Sequence, residues 1–367
     1  MSGHSRFARW FLPGFVFQSV IIGGGYATGR ELVEFFLTSG PLAGLVSMLI
    51  VTSIFSICMA LSFELARMYR TYDYRTFLKT LIGPGWIAFE ILWAILVVLI
   101  LAVLGAASGE LVSARLGWPP LVGTVSMLAL IGILVFFGSS LIEKALAGWS
   151  FLLYGVYAVL IFSYLSKFGD RIPAALAADD MSGPWILNTF RFVGYTLTAI
   201  PMVLFCIRHL ETRKDAFIAG AVAGPIGFIP GIAFYLGMVA TYPEILEVPV
   251  PADYMMQGLG FLWISVIFYI VVFGTFVETG TGLIHAINER IDHVFVERSL
   301  HMPQWLRPVV ALSILGVSIM LANYFGIIEL IAKGYGSMAW GFLAIIFVPL
   351  VTIGVWRIFK APPELRR

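Results

Sequence analysis

The residue types best suited to chemistry gather in one run, Ile22-Gly23-Gly24-Gly25-Tyr26-Ala27-Thr28-Gly29-Arg30. Glycine costs about 1 kcal/mol per helix position relative to alanine, so consecutive glycines favour an unwound segment. Unwinding frees backbone groups. A half-helix restarting near Tyr26–Thr28 offers free N–H groups and a positive dipole end, which favours an anion such as a carboxylate. The carbonyls that close the first half, around Ile21, Ile22 and Gly23, suit a cation. Gly23, Gly24, Gly25, Tyr26, Thr28 and Gly29 are therefore substrate-binding candidates, and Ile22 is an ion-coupling candidate. The competing reading is that the glycines only let helices pack closely. The run is not a nucleotide loop, because it fits neither G-x-G-x-x-G nor the phosphate-loop pattern and no strand precedes it.

A second cluster is Gly194-Tyr195-Thr196-Leu197-Thr198-Ala199-Ile200-Pro201. Proline removes a backbone donor and disrupts the turn before it, so the hydroxyls of Tyr195, Thr196 and Thr198 can bond freed carbonyls or a ligand. Tyr26 and Tyr195 are the expected walls of a small-substrate site. A third cluster is Thr275, Glu278, Thr279, Gly280, Thr281 and His285. A carboxylate inside an apolar span costs at least ~2.5 kcal/mol if charged and usually marks an ion or proton path. Glu278 is thus a proton carrier, a cation ligand, or an inner-leaflet acid paired with a nearby base. Arg30 and Glu34 stand at i, i+4 and can pair on one helix face.

These clusters must be held by helices in lipid. The chain has 367 residues, 60% of them hydrophobic and only 12% charged, against about 25% charged in soluble domains. This composition predicts a single polytopic membrane domain over 1–367. A net charge of +2 spread over short loops argues against a nucleic-acid partner. Cys58 and Cys206 fall in apolar runs and read as reduced, buried thiols. The basic N-terminus lacks a small-residue cleavage site, so the first hydrophobic stretch reads as an uncleaved helix.

Stretches of about 20 mostly apolar residues predict ten spans, near 10–36 (interrupted), 41–66, 86–112, 119–138, 145–165, 184–207, 216–240, 258–287, 308–325 and 336–356. With the N-terminus inside, every Lys and Arg except Arg30, Arg115, Lys167, Arg171, Arg191 and Lys333 falls on the cytoplasmic side, as the positive-inside rule requires. The expectation is an inner (plasma) membrane protein with both termini cytoplasmic. Spans 1–3 and 6–8 recur at a near-constant offset of about 170–175 residues, and an odd five spans per half inverts the second half. Repeats near 10–165 and 184–356, with spans 1 and 6 interrupted, form a recognised transporter architecture.

The run Gly24-Gly25-Tyr26-Ala27-Thr28-Gly29-Arg30-Glu31-Leu32-Val33-Glu34-Phe35-Phe36, with Gly194 to Pro201, resembles the YkvI-type family of bacterial membrane proteins. That family resembles the amino acid-polyamine-organocation superfamily with the LeuT fold. The resemblance implies an all-α, five-plus-five inverted repeat with discontinuous helices 1 and 6. It also implies that hydroxyls on helix 8, here Thr279 and Thr281, join helix 1 carbonyls around sodium. Gly280 separates the two, where the usual pair is adjacent. Arg30 would belong to an outer gate whose usual acidic partner on helix 10 is missing, leaving Glu34 or Glu110 as substitutes.

No H-E-x-x-H and no Cys/His cluster with metal spacing occurs, which argues against an enzyme. The expected function is secondary transport of a small amino acid, related zwitterion or organic anion, coupled to Na+ or H+. No cofactor is expected beyond Na+ as coupling ion, and the expected partners are a small-molecule substrate and the lipid bilayer. A channel, a transporter-like sensor and an intramembrane enzyme are the alternatives. Glu64 and Glu90 read as structural acids with Arg67 or Arg70 as partners, and Gly220–Gly224 as a close-packing G-x-x-x-G.

Overall fold

The computed structural model describes residues 6–137, 149–260, 262–297 and 299–361. These residues are helical throughout, apart from short connections. Among the described residues seven helices are long and apolar enough to cross a membrane, and a further apolar helix, Pro120–Phe136, is shorter.

The first hydrophobic stretch is cut twice. Helix α1 runs over Arg6–Ile21, α2 is the four-residue piece Gly24–Ala27 and α3 is Arg30–Phe35. The first cut falls at Ile22-Gly23. The second falls at Thr28-Gly29, where Gly29 takes φ 79°, a left-handed conformation that favours glycine. The half-helix expected to start at Tyr26–Thr28 is thus two short pieces, and neither is long enough to build the strong dipole assumed for anion binding.

Pro41–Tyr69 forms α4, Tyr74–Ile82 forms α5, Trp86–Leu116 forms α6 and Pro120–Phe137 forms α7. Helix α8 is Trp149–Phe168 and α9 is Ile172–Ala177; residues 145–148 of the expected fifth span lie outside the described residues. Trp185–Thr196 is α10 and Ala199–Val203 is α11, separated by a turn at Leu197-Thr198. Arg213–Val239 is α12, Pro251–Leu259 is α13 and Leu262–Glu297 is α14. Helix α14 continues ten residues past its expected end at 287, into charged residues that pair with Glu90 and Arg307. Leu306–Glu329 is α15, interrupted at Gly326 with φ 68°. A π-helical turn over Leu330–Tyr335 then leads into α16, Gly336–Phe342, and the last helix is α17, Val355–Lys360. The last expected span therefore begins well before residue 336.

Three prolines inside helices show how this fold tolerates broken backbone. A helical proline leaves the carbonyl four residues earlier without its donor, and lipid cannot supply one. Pro230 frees Ile226, whose carbonyl accepts 2.8 Å from Gln18 Nε2 on α1. Pro225 frees Ala221, which accepts 2.9 Å from Ser56 Oγ on α4. Pro13 frees Arg9, which accepts from His209 Nε2 at 3.1 Å. The first two repairs also tie α12 to α1 and α4, and the third ties α1 to the connection before α12. Between the same helices, Phe17, Phe55 and Phe228 stack at centroid distances of 5.2–6.0 Å. The G-x-x-x-G glycines close the α4–α12 contact: a Cβ at Gly220 would lie 2.3 Å from the Ala60 backbone, and one at Gly224 2.2 Å from Ser56 Oγ.

Candidate functional site

The two interruptions border one cavity of about 330 Å3. Helix α1 and the break after it contribute Val20, Ile21 and Gly23, α2 contributes Tyr26 and α3 contributes Glu31. The α10–α11 segment contributes Phe192, Tyr195, Thr196, Thr198 and Met202. Trp93, Leu96 and Ile100 come from α6, Thr279, Leu283 and Ala286 from α14, and Tyr335 from the π-helical turn.

The break in the α10 region follows from local bonding. Leu197 N–H still reaches Val193 four residues back, but Thr198 and Ile200 N–H bond only three residues back, to Tyr195 and Leu197. Thr198 Oγ1 also donates to the Tyr195 carbonyl at 2.8 Å. Gly194 does not cause this break. It sits inside α10 and lets α16 approach, since a Cβ there would lie 2.3 Å from the Ala339 carbonyl oxygen.

Glu31 is the one charged side chain in the cavity lining among the described residues. It is 6% exposed and accepts a hydrogen bond from the Tyr195 hydroxyl. Tyr195 stacks on Tyr335 at 5.0 Å and meets Phe192 edge-on at 5.4 Å. In the sequence Glu31 stands between Arg30 and Glu34, with no role assigned. Its signal was arithmetic: the i, i+4 pair uses Arg30 and Glu34 and leaves Glu31 over. Trp93, Met202 and Tyr335 carried no signal, being ordinary apolar-span residues or, for Tyr335, assigned outside a span.

Of the expected substrate residues, the cavity brings together Gly23, Tyr26, Tyr195, Thr196 and Thr198. Gly24 and Gly25 open α2; their burial is outside what the structure describes. Thr28 and Gly29 do not line the cavity. Thr28 is fully buried and its carbonyl accepts from Ala252 N–H at 2.9 Å. Gly29 packs against Phe234 and Met238. Of the expected coupling residues, only Thr279 lines the cavity; a Cβ on Gly23 would stand 3.6 Å from its Oγ1. Ile22 is the bent residue beside Gly23. Thr281 Oγ1 donates instead to the carbonyls of Val277 and Glu278, at 2.8 and 3.1 Å. Glu278 lies off the lining, within electrostatic reach of Tyr154 on α8.

The far end of the cavity is closed. Arg30, 2% exposed, pairs with Glu34 at 2.8 Å and donates to the carbonyls of Leu246 and Val248 at 2.6 and 3.1 Å. Those carbonyls belong to the segment between α12 and α13, so Arg30 is held by Glu34 and by backbone, not by Glu110. Toward the other end, Val20, the second-to-last residue of α1, lines the cavity and is 41% exposed. There Arg290 lies 3.5 Å over the Trp93 ring and 3.9 Å over Tyr74, paired with Glu90 at 2.8 Å. Glu64 pairs with Arg67 as expected, at 2.8 Å, whereas the partner of Glu90 is Arg290, not Arg67 or Arg70.

This geometry accompanies distant likenesses. No family model matches the chain. It is 22% identical over 302 residues to the uncharacterized membrane protein YkvI of Bacillus subtilis (strain 168), spanning 78% of this chain and 82% of that protein. Among solved structures it is similar to MhsT in complex with L-phenylalanine, at 14% identity and TM-score 0.56, covering 97% of this chain and 89% of that one. It is similar to the Eremococcus coleocola manganese transporter with a bis-isothiourea compound, at 13% identity and TM-score 0.54, covering 100% and 84%. A Na+-coupled sialic acid symporter aligns at 13% identity and TM-score 0.52, covering 94% and 86%. The chain is a multi-pass membrane protein, weakly related to YkvI, with a LeuT-type fold.

Proposed function

We propose that this protein is a secondary active transporter that moves a small organic solute by alternating access. The observation that carries the proposal is the cavity bordered by two interrupted helices. Backbone broken at membrane depth is tolerated where protein or a watery cavity covers it, and midplane sites in transporters are built that way. In this reading the chain crosses the membrane ten times as two inverted five-helix repeats, with both termini cytoplasmic. The 55-residue stretch Leu306–Lys360 is long enough for two passes and is interrupted at Gly326, which supports that count. The Arg30 cluster is the closed outer gate, the cavity faces the N-terminal side, and helices 1, 2, 6 and 7 rock against the rest.

Coupling is assigned to a cation. The carbonyls at Ile22-Gly23 and the Thr279 hydroxyl form the candidate sodium position, and a protonatable carboxyl at Glu31 or Glu278 is the alternative. One charge moved across 100 mV releases about 2.3 kcal/mol, enough to drive accumulation. Uptake into proteoliposomes, driven separately by a sodium and by a proton gradient, tests both parts. Thr279→Val is expected to abolish sodium-driven uptake while leaving exchange down a substrate gradient. Solute flux that saturates in neither gradient and never exceeds equilibrium would identify a channel instead.

A further inference from the structure

We propose that the cavity selects an organic cation, a small amine with an apolar body, and that Glu31 is its counter-charge. The inference rests on the carrier reading above and deepens it by naming the substrate class.

The charge of the site comes first. Glu31 is buried in the wall. Arg30, its neighbour in sequence, is turned away to Glu34 and the Leu246 and Val248 carbonyls. Among the described residues no basic side chain pairs with Glu31, and the group that donates a hydrogen bond to it, the Tyr195 hydroxyl, is neutral. A buried carboxylate without a cation is costly. A positive ligand group placed beneath Tyr195 supplies the missing charge.

The rest of the wall decides which cation. Tyr195, Tyr335, Phe192, Tyr26 and Trp93 surround the space with aromatic rings. Aromatic faces attract ammonium groups, most strongly where water is excluded. A calcium or magnesium ion wants about six or more oxygen ligands, and among the described residues no group of acidic, imidazole or thiol side chains suits a divalent metal as the substrate. Leucine, isoleucine and methionine at 96, 100, 202 and 283 complete an apolar floor, which suits a hydrocarbon or aryl body. A volume of about 330 Å3 holds a one-ring amine. A zwitterion or anion fits less well, because its carboxylate meets no basic side chain in the lining. The four-residue α2 also provides little dipole to replace one.

The test uses four probes with the same phenyl ring and different charge: 2-phenylethylamine, L-phenylalanine, 3-phenylpropionate and 2-phenylethanol. Binding to the purified full-length protein is measured by thermal stabilisation and calorimetry, together with a series of amines from methylamine upward. The amine is expected to bind at least about tenfold tighter than the other three phenyl probes. Its affinity should fall as the pH is lowered, since a proton competes for the carboxylate, while that of phenylethanol stays constant. Glu31→Gln should remove the preference for the amine, and Glu31→Asp should keep it. Should Glu31→Gln fail to fold, the pH series on the wild-type protein decides. The proposal is overturned if phenylalanine, phenylpropionate or phenylethanol binds as well as the amine, if no amine in the series binds, or if a folded Glu31→Gln protein keeps the preference. Amine binding without counterflow in proteoliposomes sinks the carrier reading and leaves the amine site standing. Counterflow of a solute other than an amine, with no amine binding, does the reverse.

Discussion

At the scale of single residues, Tyr26 shows how tightly the site is constrained. Its hydroxyl sits against α12 where only a glycine fits: a Cβ on Gly231 would lie 1.7 Å from Tyr26 Oη. That hydroxyl is buried and has no hydrogen-bond partner among the described residues. Gly231→Ala must therefore push the ring into the cavity or force α12 away, an overpacking that costs about 1–3 kcal/mol. Tyr26→Phe removes the colliding atom, and removing an unpaired buried hydroxyl is itself nearly neutral. The expected result is a lowered melting temperature and lost ligand binding in Gly231→Ala, with both largely restored in the double variant. An additive loss in the double variant would mean that the two residues do not collide. The sequence made Tyr26 and Tyr195 legible as wall residues because they flank residues that break helices. It could not show that Glu31 turns inward while Arg30 and Glu34 pair at the closed end, because that split depends on where α3 restarts after Gly29.

At the scale of elements, the helices are joined through their own defects. Gln18, Ser56 and His209 each bond a carbonyl that a proline has freed. Gln18→Leu leaves the Ile226 carbonyl buried without a donor, at a cost of about 1–3 kcal/mol. Ser56→Ala does the same for Ala221. Because Pro230→Ala restores a backbone donor to Ile226, the Gln18→Leu/Pro230→Ala pair should recover part of the lost thermal stability, which melting in detergent measures. No recovery would show that Gln18 contributes only by packing. The G-x-x-x-G at 220–224 was legible as a close-packing signal, since small residues at that spacing speak directly to backbone approach. The proline repairs were not legible, because each donor comes from a residue 165 to 208 positions away, or across 200 positions for His209. Helix α14 ran longer than hydropathy suggested for a related reason: hydropathy marks where lipid ends, and the helix continues past it into charged residues held by Glu90 and Arg307.

At the scale of the whole molecule, the two ends of the cavity are held by different kinds of contact, and this asymmetry makes the conformational equilibrium testable. The far end is fastened by a buried guanidinium on one carboxylate and two carbonyls, with the Thr28 carbonyl bonded to Ala252 beside it. Hydrogen bonds to charged groups contribute about 1.5–3 kcal/mol each, so losing Arg30 should shift the equilibrium between the two open states by about tenfold or more. At the near end, the half-exposed Val20 and Ala286 of α14 both line the cavity. In a background with Cys58 and Cys206 replaced by alanine, Ala286→Cys should react quickly with a membrane-impermeant maleimide added from the N-terminal side. Adding Arg30→Ala should slow that reaction and speed labelling of Glu110→Cys, near the opposite end of α6, from the other side. Equal labelling rates with and without Arg30 would mean that the guanidinium only stabilises a loop. If Ala286→Cys stays unreactive from both sides, the cavity is a sealed void, and a route for solute through this fold would have to lie elsewhere.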